Sequence, residues 1–327
     1  MSKPKLALYW AASCGGCEIA VLDVEEKILD VAAFFDIVFW PCATDFKYKD
    51  VEAMPDKSID LCLFNGAVRT SENESLARLL REKSKVLVAF GSCATDGCIP
   101  GLANLTTKDA IFNWVYRESP STVNTDGTIP VTQFTVPEGE LEIPEFYESV
   151  HTLAQVVPVD YFVPGCPPQA HQIAAVLTAV MQGAELPPLG SILGAGDKTC
   201  CEECGRSRQE KRLKKFYRPW EIEPKPDECL LDQGIICLGP ATRSGCGALC
   251  VKANMPCRGC YGPAPNVADQ GVKMVSALAS VIDSHEPAEI NRILDQVPDL
   301  AGTLFRFSVP HSILHRRQTE PAQAGAR

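Results

Sequence analysis

Between Cys201 and Cys260 the chain carries eight cysteines in sixty residues: Cys201, Cys204, Cys229, Cys237, Cys246, Cys250, Cys257 and Cys260. Two of the pairs, Cys201/Cys204 and Cys257/Cys260, are Cys-x-x-Cys, a spacing that lets two thiolates on one turn grip a single metal centre. The eight thiols divide into two sets of four. Gly234, Gly239-Pro240, Gly245, Gly247, Pro256, Gly259 and Gly262-Pro263 lie among them, so the backbone can turn tightly. No long apolar periodic run interrupts the stretch. Bound metal, rather than apolar packing, is therefore expected to specify its structure.

The whole chain has sixteen cysteines in 327 residues. A secreted disulfide protein would open on a signal peptide. Here Met1-Ser-Lys-Pro-Lys5 leads directly into a strand-like segment, without an apolar h-region or twin arginine. No run approaches the roughly 18–20 apolar residues of a membrane-spanning helix. These features predict a cytoplasmic chain without a membrane anchor. With 46% hydrophobic and 22% charged residues a real core is expected, and a net charge of −10 argues against nucleic acid as a partner.

Apolar patterning places strands at Lys5–Trp10, Ile37–Trp40, Ile59–Asn65, Lys85–Phe90 and Val159–Val163. Helices are predicted from Ile19 to Phe34, Glu72 to Arg81, 109 to 118 and Gln169 to Met181. Residues 119–145, rich in Pro, Gly, Thr and Asn, suggest an insertion or extended loop. This alternation predicts an α/β fold: a flavodoxin-like, doubly wound parallel sheet over residues 1–186. A small cysteine-rich iron–sulfur domain with little regular structure should occupy residues 187–327, with helices near Val272–Ile282 and Ala288–Val297 and a frayed tail from His315.

Cys14, Cys17, Cys93 and Cys166 each lie just past the carboxyl end of a predicted strand. Open doubly wound sheets bind ligands at those ends, so three distant loops should bring four thiols to one place. A zinc ribbon from Cys201/Cys204 and Cys257/Cys260 would leave Cys229, Cys237, Cys246 and Cys250 unused, which favours iron–sulfur over zinc. No histidine stands in a motif beside Cys93, so a Cys/His nucleophile is unsupported. Gly194-Ala-Gly196 lacks the remainder of a dinucleotide loop, and neither nucleotide nor flavin is expected.

Cys14-Gly-Gly-Cys17, Gly91-Ser92-Cys93, Ile99-Pro100-Gly101 and Pro164-Gly165-Cys166-Pro167-Pro168 resemble the amino-terminal domain of nickel–iron hydrogenase small subunits. The order Cys201-x-x-Cys204, Cys229, Cys237-x-Gly-Pro-x5-Cys246 and Pro256-Cys257-x-Gly-Cys260 is similar to their carboxyl-terminal cluster domain. The likeness spans residues 5–265, and within the family it is greatest to the cytoplasmic methyl-viologen-reducing type that works with heterodisulfide reductase. It implies a proximal cluster on Cys14, Cys17, Cys93 and Cys166, and a distal one on Cys201, Cys204, Cys229 and Cys237. A medial cluster would sit on Cys246, Cys257 and Cys260, with Cys250 as a fourth thiolate, giving three [4Fe-4S] clusters. Cys201 stands where many members have histidine. The resemblance further implies nickel on a partner large subunit and electrons passed to an iron–sulfur electron-transfer subunit. The small subunit of an NAD(P)-linked bidirectional hydrogenase and, from another class, a zinc-stabilised scaffold are the competing readings.

Four cysteines fall outside these sets. Cys62, in a strand, suits a small buried hydrophobe; Cys42 suits loop or core packing; Cys98 lies close to Cys93 but is not needed as a ligand; Cys200 competes with Cys201. Glu18 fits either a proton relay or a first-turn carboxylate facing the helix dipole. The basic run Arg206, Arg208, Lys211, Arg212, Lys214, Lys215 and Arg218 fits a solvated face or an acidic partner. No histidine sits in a ligand pattern.

Overall fold

A computed structural model of the chain describes residues 3–208, 213–297 and 299–315. Lys211 and Arg212 of the basic run, and the tail beyond His315, lie outside the described residues. Five parallel strands form the central sheet: β1 (Lys5–Trp10), β2 (Asp36–Phe39), β3 (Ile59–Asn65), β5 (Ser84–Phe90) and β9 (Tyr161–Val163), in the order β2-β1-β3-β5-β9. Each strand is almost wholly apolar because both faces are covered. Successive side chains point to opposite faces. Ala7, Tyr9, Cys62, Phe64, Leu87 and Ala89 pack towards α3 (Tyr48–Glu52) and α4 (Ser71–Lys83). Leu6, Leu8, Leu61, Leu63, Val88 and Phe90 pack towards α1 (Gly16–Leu22), α2 (Lys27–Phe34) and α7 (Ala170–Met181).

The carboxyl ends of four strands are level. Trp10 pairs with Asn65, Asn65 with Phe90, and Phe90 with Val163. The loops that leave β1, β5 and β9 therefore start at one height on one edge of the sheet.

The single helix predicted from Ile19 to Phe34 is two helices, broken where Glu25 takes a left-handed φ of 58°. No glycine or proline marks that break. The segment 119–145 contains an exposed hairpin, β6 (Gln133–Val136) with β7 (Gly139–Glu142), and β8 (Phe146–His151) returns antiparallel to β4 (Val68–Thr70). The helix expected over 109–118 is α6 (Lys108–Asn113), loosening into a wider turn over Trp114–Glu118.

The cysteine-rich stretch departs from expectation in one respect. An apolar core of Leu213, Phe216, Leu231, Leu238, Met274, Leu278, Ile293 and Phe305 lies beneath it. Half of these residues come after Cys260: Met274 and Leu278 from α10 (Gln270–Ala279), Ile293 from α11 (Pro287–Leu294) and Phe305 just past α12 (Leu300–Leu304). α8 (Cys201–Cys204) and α9 (Leu249–Lys252) are single turns. Apolar packing thus holds this half together alongside its thiols.

After α12 the chain runs back to the sheet. The Cys98 amide donates to Phe307 O (3.1 Å), and the Gln155 side chain donates to Pro310 O (2.7 Å). The Pro310 ring lies flat on Gly97 and Gly101, where any Cβ would overlap it. His311 Nδ1 is 3.1 Å from the buried Asp96 carboxylate. That carboxylate raises the His311 pKa above its ordinary value.

A histidine whose folded pKa is raised stabilises the fold fully below its unfolded pKa of about 6.5 and loses that contribution as pH climbs through the folded value. Wild type should therefore lose resistance to chemical unfolding between pH 6 and 9 relative to His311→Ala. The difference should stay under about 1 kcal/mol, since half of the side chain meets solvent. Equal pH dependence of the two midpoints would show that the contact carries no stabilising charge.

Candidate metal centres

The first group of thiols is assembled by the three loops at the level strand ends. The loop after β1 carries exposed Cys14 and, on the first turn of α1, buried Cys17. β5 ends at Phe90, and Gly91, with a φ of 81°, turns the chain into α5 (Ser92–Asp96) with buried Cys93. A Cβ on Gly91 would overlap the Cys17 sulfur; only glycine lets the two loops approach so closely. Cys166 follows β9.

Ser92 ties these loops to the cysteine-rich half. Its amide donates to Gly165 O (2.8 Å), its hydroxyl oxygen accepts from the Gly165 amide (3.2 Å), and its hydroxyl donates to the Cys260 carbonyl. Gln172 on α7, fully buried, makes a second tie. It donates to Pro164 O (3.1 Å) and accepts from the Tyr261 hydroxyl (2.7 Å). Burial, then the neighbouring Cys93, Cys166 and Cys14 sulfurs, push the Cys17 thiol well above its ordinary range.

Cys246, Cys250, Cys257 and Cys260 form the second group. Burial and then Cys257, Cys166 and Cys246 raise the Cys260 thiol, so Cys260 stands between this group and the first. Cys250, the outermost, is raised by burial and by Cys257 and Cys246. The Glu203 carboxylate accepts from the Gly245 amide (2.9 Å) and the Gly247 amide (3.1 Å), fixing the turn that carries Cys246. Gln270, buried beneath, donates to Gly259 O (2.9 Å) and Gly262 O (3.0 Å) and so fixes the Cys257–Cys260 loop.

Cys201, Cys204, Cys229 and Cys237, the third group, line a single cavity together with Leu230, Leu231 and Gly239. A Cβ on Gly239 would lie 3.1 Å from the Cys201 sulfur and 3.7 Å from that of Cys237. Burial, with Cys204 and Cys229 nearby, pushes Cys201 up to about 12. The Cys257 amide donates to the Cys237 sulfur at 3.3 Å, joining the third group to the second.

Two further thiols lie at these groups. Cys98, fully buried on a left-handed backbone (φ 45°), has its sulfur 3.6 Å from that of Cys166, and it also bonds Cys93. It donates to Cys166, which is lowered to about 7. Cys200, fully buried, bonds Cys246 and Cys257, and Cys246 is lowered to about 6 by that bond. Cys200 therefore stands between the second group, which it bonds, and the third, whose cavity it also lines beside Cys201. Cys62 is wholly buried in the core, and Cys42 sits exposed in a turn.

Glu18 is 6% exposed, accepting from the Trp40 indole N–H and from Asn65 (3.4 Å). Burial raises its pKa although both bonds oppose the shift. Arg206 donates to Lys225 O, Glu228 O and Val251 O, and Arg208 lies 3.8 Å from Asp232. These two members of the basic run thus brace the third group. His171 approaches Gly245 O at 3.4 Å, and His311 belongs to the strap described above.

A single tetrahedral ion with metal–sulfur bonds near 2.3 Å would need its four sulfurs only about 3.8 Å apart. Among the described residues no three Cys, His, Asp or Glu side chains are gathered in a way that could hold one ion. The third set of four thiols, spread around a cavity with Gly239 where a Cβ would intrude, suits a larger iron–sulfur centre.

Residues 14–180 match the family of the NADH ubiquinone oxidoreductase 20 kDa subunit. The overall fold is shared with a NiFeSe hydrogenase from Desulfomicrobium baculatum in its reduced, active form, at 19% identity and a TM-score of 0.50, over 80% of this chain and 95% of that one. The family match defines the class, a protein built on the 20 kDa-subunit domain. The iron–sulfur subunit of the F420-non-reducing hydrogenase of Archaeoglobus profundus is 42% identical over 319 residues, 96% of this chain and 98% of its own length. The corresponding F420-non-reducing hydrogenase subunit of Methanothermobacter marburgensis is 36% identical over 95% of this chain and 96% of its own length. The chain belongs to this family of F420-non-reducing hydrogenase small subunits. Among the described residues no helix is long and apolar enough to cross a membrane.

Gly91→Ala should lower the iron bound per chain by about four atoms, one cubane's worth. Gly183→Ala, equally left-handed at φ 66° but with open space around it, should not. Iron quantified on anaerobically purified protein decides; full iron in Gly91→Ala would mean that Cys17 and the Gly91 turn do not share a cluster.

Proposed function

We propose that this chain is the electron-transferring small subunit of a cytoplasmic nickel–iron hydrogenase, linked through an iron–sulfur electron-transfer subunit to heterodisulfide reductase. The observation that carries the reading is the serial arrangement of the thiols: Cys260, packed against Cys93 and bonded through its carbonyl to Ser92, links the first and second groups, and the Cys257–Cys237 bond links the second and third. Each group has the donor chemistry of a [4Fe-4S] ligand set, and when bound such clusters supply reversible one-electron storage. We assign Cys14, Cys17, Cys93 and Cys166 to the proximal cluster. Cys246, Cys250, Cys257 and Cys260 are assigned to the medial cluster, and Cys201, Cys204, Cys229 and Cys237 to the distal one.

In this reading the chain's own work is positional. Ser92, Gln172 and Gln270 hold the loops at fixed separations, and apolar residues exclude water from Cys17, Cys93, Cys237 and Cys257. Trp10, Ile19 and Leu22, each more than 40% exposed beside the Cys14/Cys17 loop, form the apolar surface on which the nickel-bearing large subunit would seat. Glu18, enclosed next to Cys17 with its proton held more tightly than an exposed carboxyl, suits a relay position at that face. Residues 1–186 and 187–327 are read as the proximal-cluster domain and the two-cluster domain.

Cys17→Ser should cut hydrogen-dependent methyl viologen reduction by the purified complex more than a hundredfold, whereas Cys42→Ser should leave it unchanged. Retained activity in Cys17→Ser would remove Cys17 from the electron path.

A further inference from the structure

Arg218, Arg258 and Arg306 converge on one pocket in the cysteine-rich half, walled by Phe216, Ile236 and Pro256. Among the described residues none of the three is in an ion pair. Arg218 lies over the Trp220 ring at 5.5 Å. Two carboxylates face the group. Glu221, in the pocket wall, accepts from the Arg218 amide (2.5 Å), and Asp299, bonded to the Gly302 amide (2.8 Å), acts on Arg306. Three guanidiniums against two engaged carboxylates leave a positive pocket on a chain whose net charge is −10. Burial and the nearby Arg258 guanidinium both work against the charge on Arg306. Crowded like charges destabilise the isolated chain, and an anion would offset that cost.

Location selects the kind of anion. Ile235 and Ile236 precede Cys237, and Pro256 and Arg258 flank Cys257, so the pocket floor is the outer side of two thiol-bearing loops. Trp220, 78% exposed beneath Arg218, and the arginines are the residue types that anchor protein interfaces. We infer that this pocket is the docking point for an acidic segment of the protein that takes electrons from this chain, an inference that rests on the electron-transfer reading above.

The test uses the anaerobically purified hydrogenase complex and a fluorescent octaglutamate peptide as probe, with binding followed by anisotropy. The peptide should bind the wild-type complex, weaken as sodium chloride rises from about 50 to 300 mM, and bind at least tenfold more weakly to Arg306→Glu. Arg218→Gln, a change at an exposed side chain that leaves the core untouched, should show at least a threefold loss and guards against misfolding of the first variant. Equal binding by wild type and both variants would overturn the docking assignment. So would displacement of the peptide by inorganic phosphate at equal charge concentration, which would mark the pocket as a small-anion site. Hydrogen-driven methyl viologen reduction is measured on the same samples. Its absence in wild type would sink the hydrogenase reading, whereas normal reduction in all three with peptide binding unaltered would sink only the docking site.

Discussion

The hydroxyl and amide of Ser92 bear more of this structure than their size suggests. Through them the loop after β5 is bonded to the loop after β9 and to the Cys260 carbonyl, 168 residues away. Cys93 lies next to Ser92, Cys166 next to Gly165, and Cys260 carries the acceptor itself. One side chain therefore sets the separation of two thiol groups and the junction of the two halves of the chain. Gln172 repeats the connection through Pro164 and Tyr261, and the strap at Phe307–His311 repeats it through Cys98 and Asp96. On the proposed electron-transferring role, these redundant short bonds would serve to fix the separation of the thiol groups.

Thiols placed this close work against one another when no metal holds them. Burial and neighbouring sulfurs raise Cys17, Cys201, Cys237 and Cys260, so the thiolate form needed for ligation is disfavoured until a cationic centre reverses the balance. The two additional thiols, Cys98 and Cys200, work the other way on the thiols they donate to: Cys166, Cys246 and Cys257 are lowered by those bonds, while Cys98 and Cys200 keep their own protons. Metal binding and the final settling of the loops should be one event in this chain. The apolar core beneath the cysteines shows that the half containing them need not await metal to become compact.

Much of the sheet was legible because its strands are short, apolar and followed by glycine and cysteine. Ile59–Asn65 matches its expected bounds, and the four amino-terminal thiols could be placed at strand ends before their neighbours were known. What escaped the sequence were contacts without a local signal. The break at Glu25 has no glycine or proline. The position of Cys200 depends on Cys246 and Cys257, some fifty residues on, and adjacent Cys200 and Cys201 cannot be told apart by spacing. Cys98 joins the first group only because left-handed turns at Gly97 and at Cys98 itself aim it inward. Gln172 reads as an ordinary helix residue and Gln270 falls just before an expected helix, until their carbonyl partners are seen. Glu18 sits in a first helical turn, as its sequence position implies, yet strands β2 and β3 enclose it.

On the proposed function, twelve thiols in three groups hold three iron–sulfur clusters beside a nickel-bearing partner. Anaerobic purification of the tagged chain from its own host, followed by metal analysis, tests it most directly. About twelve iron atoms per copy of the chain are expected, with nickel in a co-eluting second subunit. Zinc in place of iron, with no nickel-bearing partner, would contradict it and make the thiols staples of a scaffold.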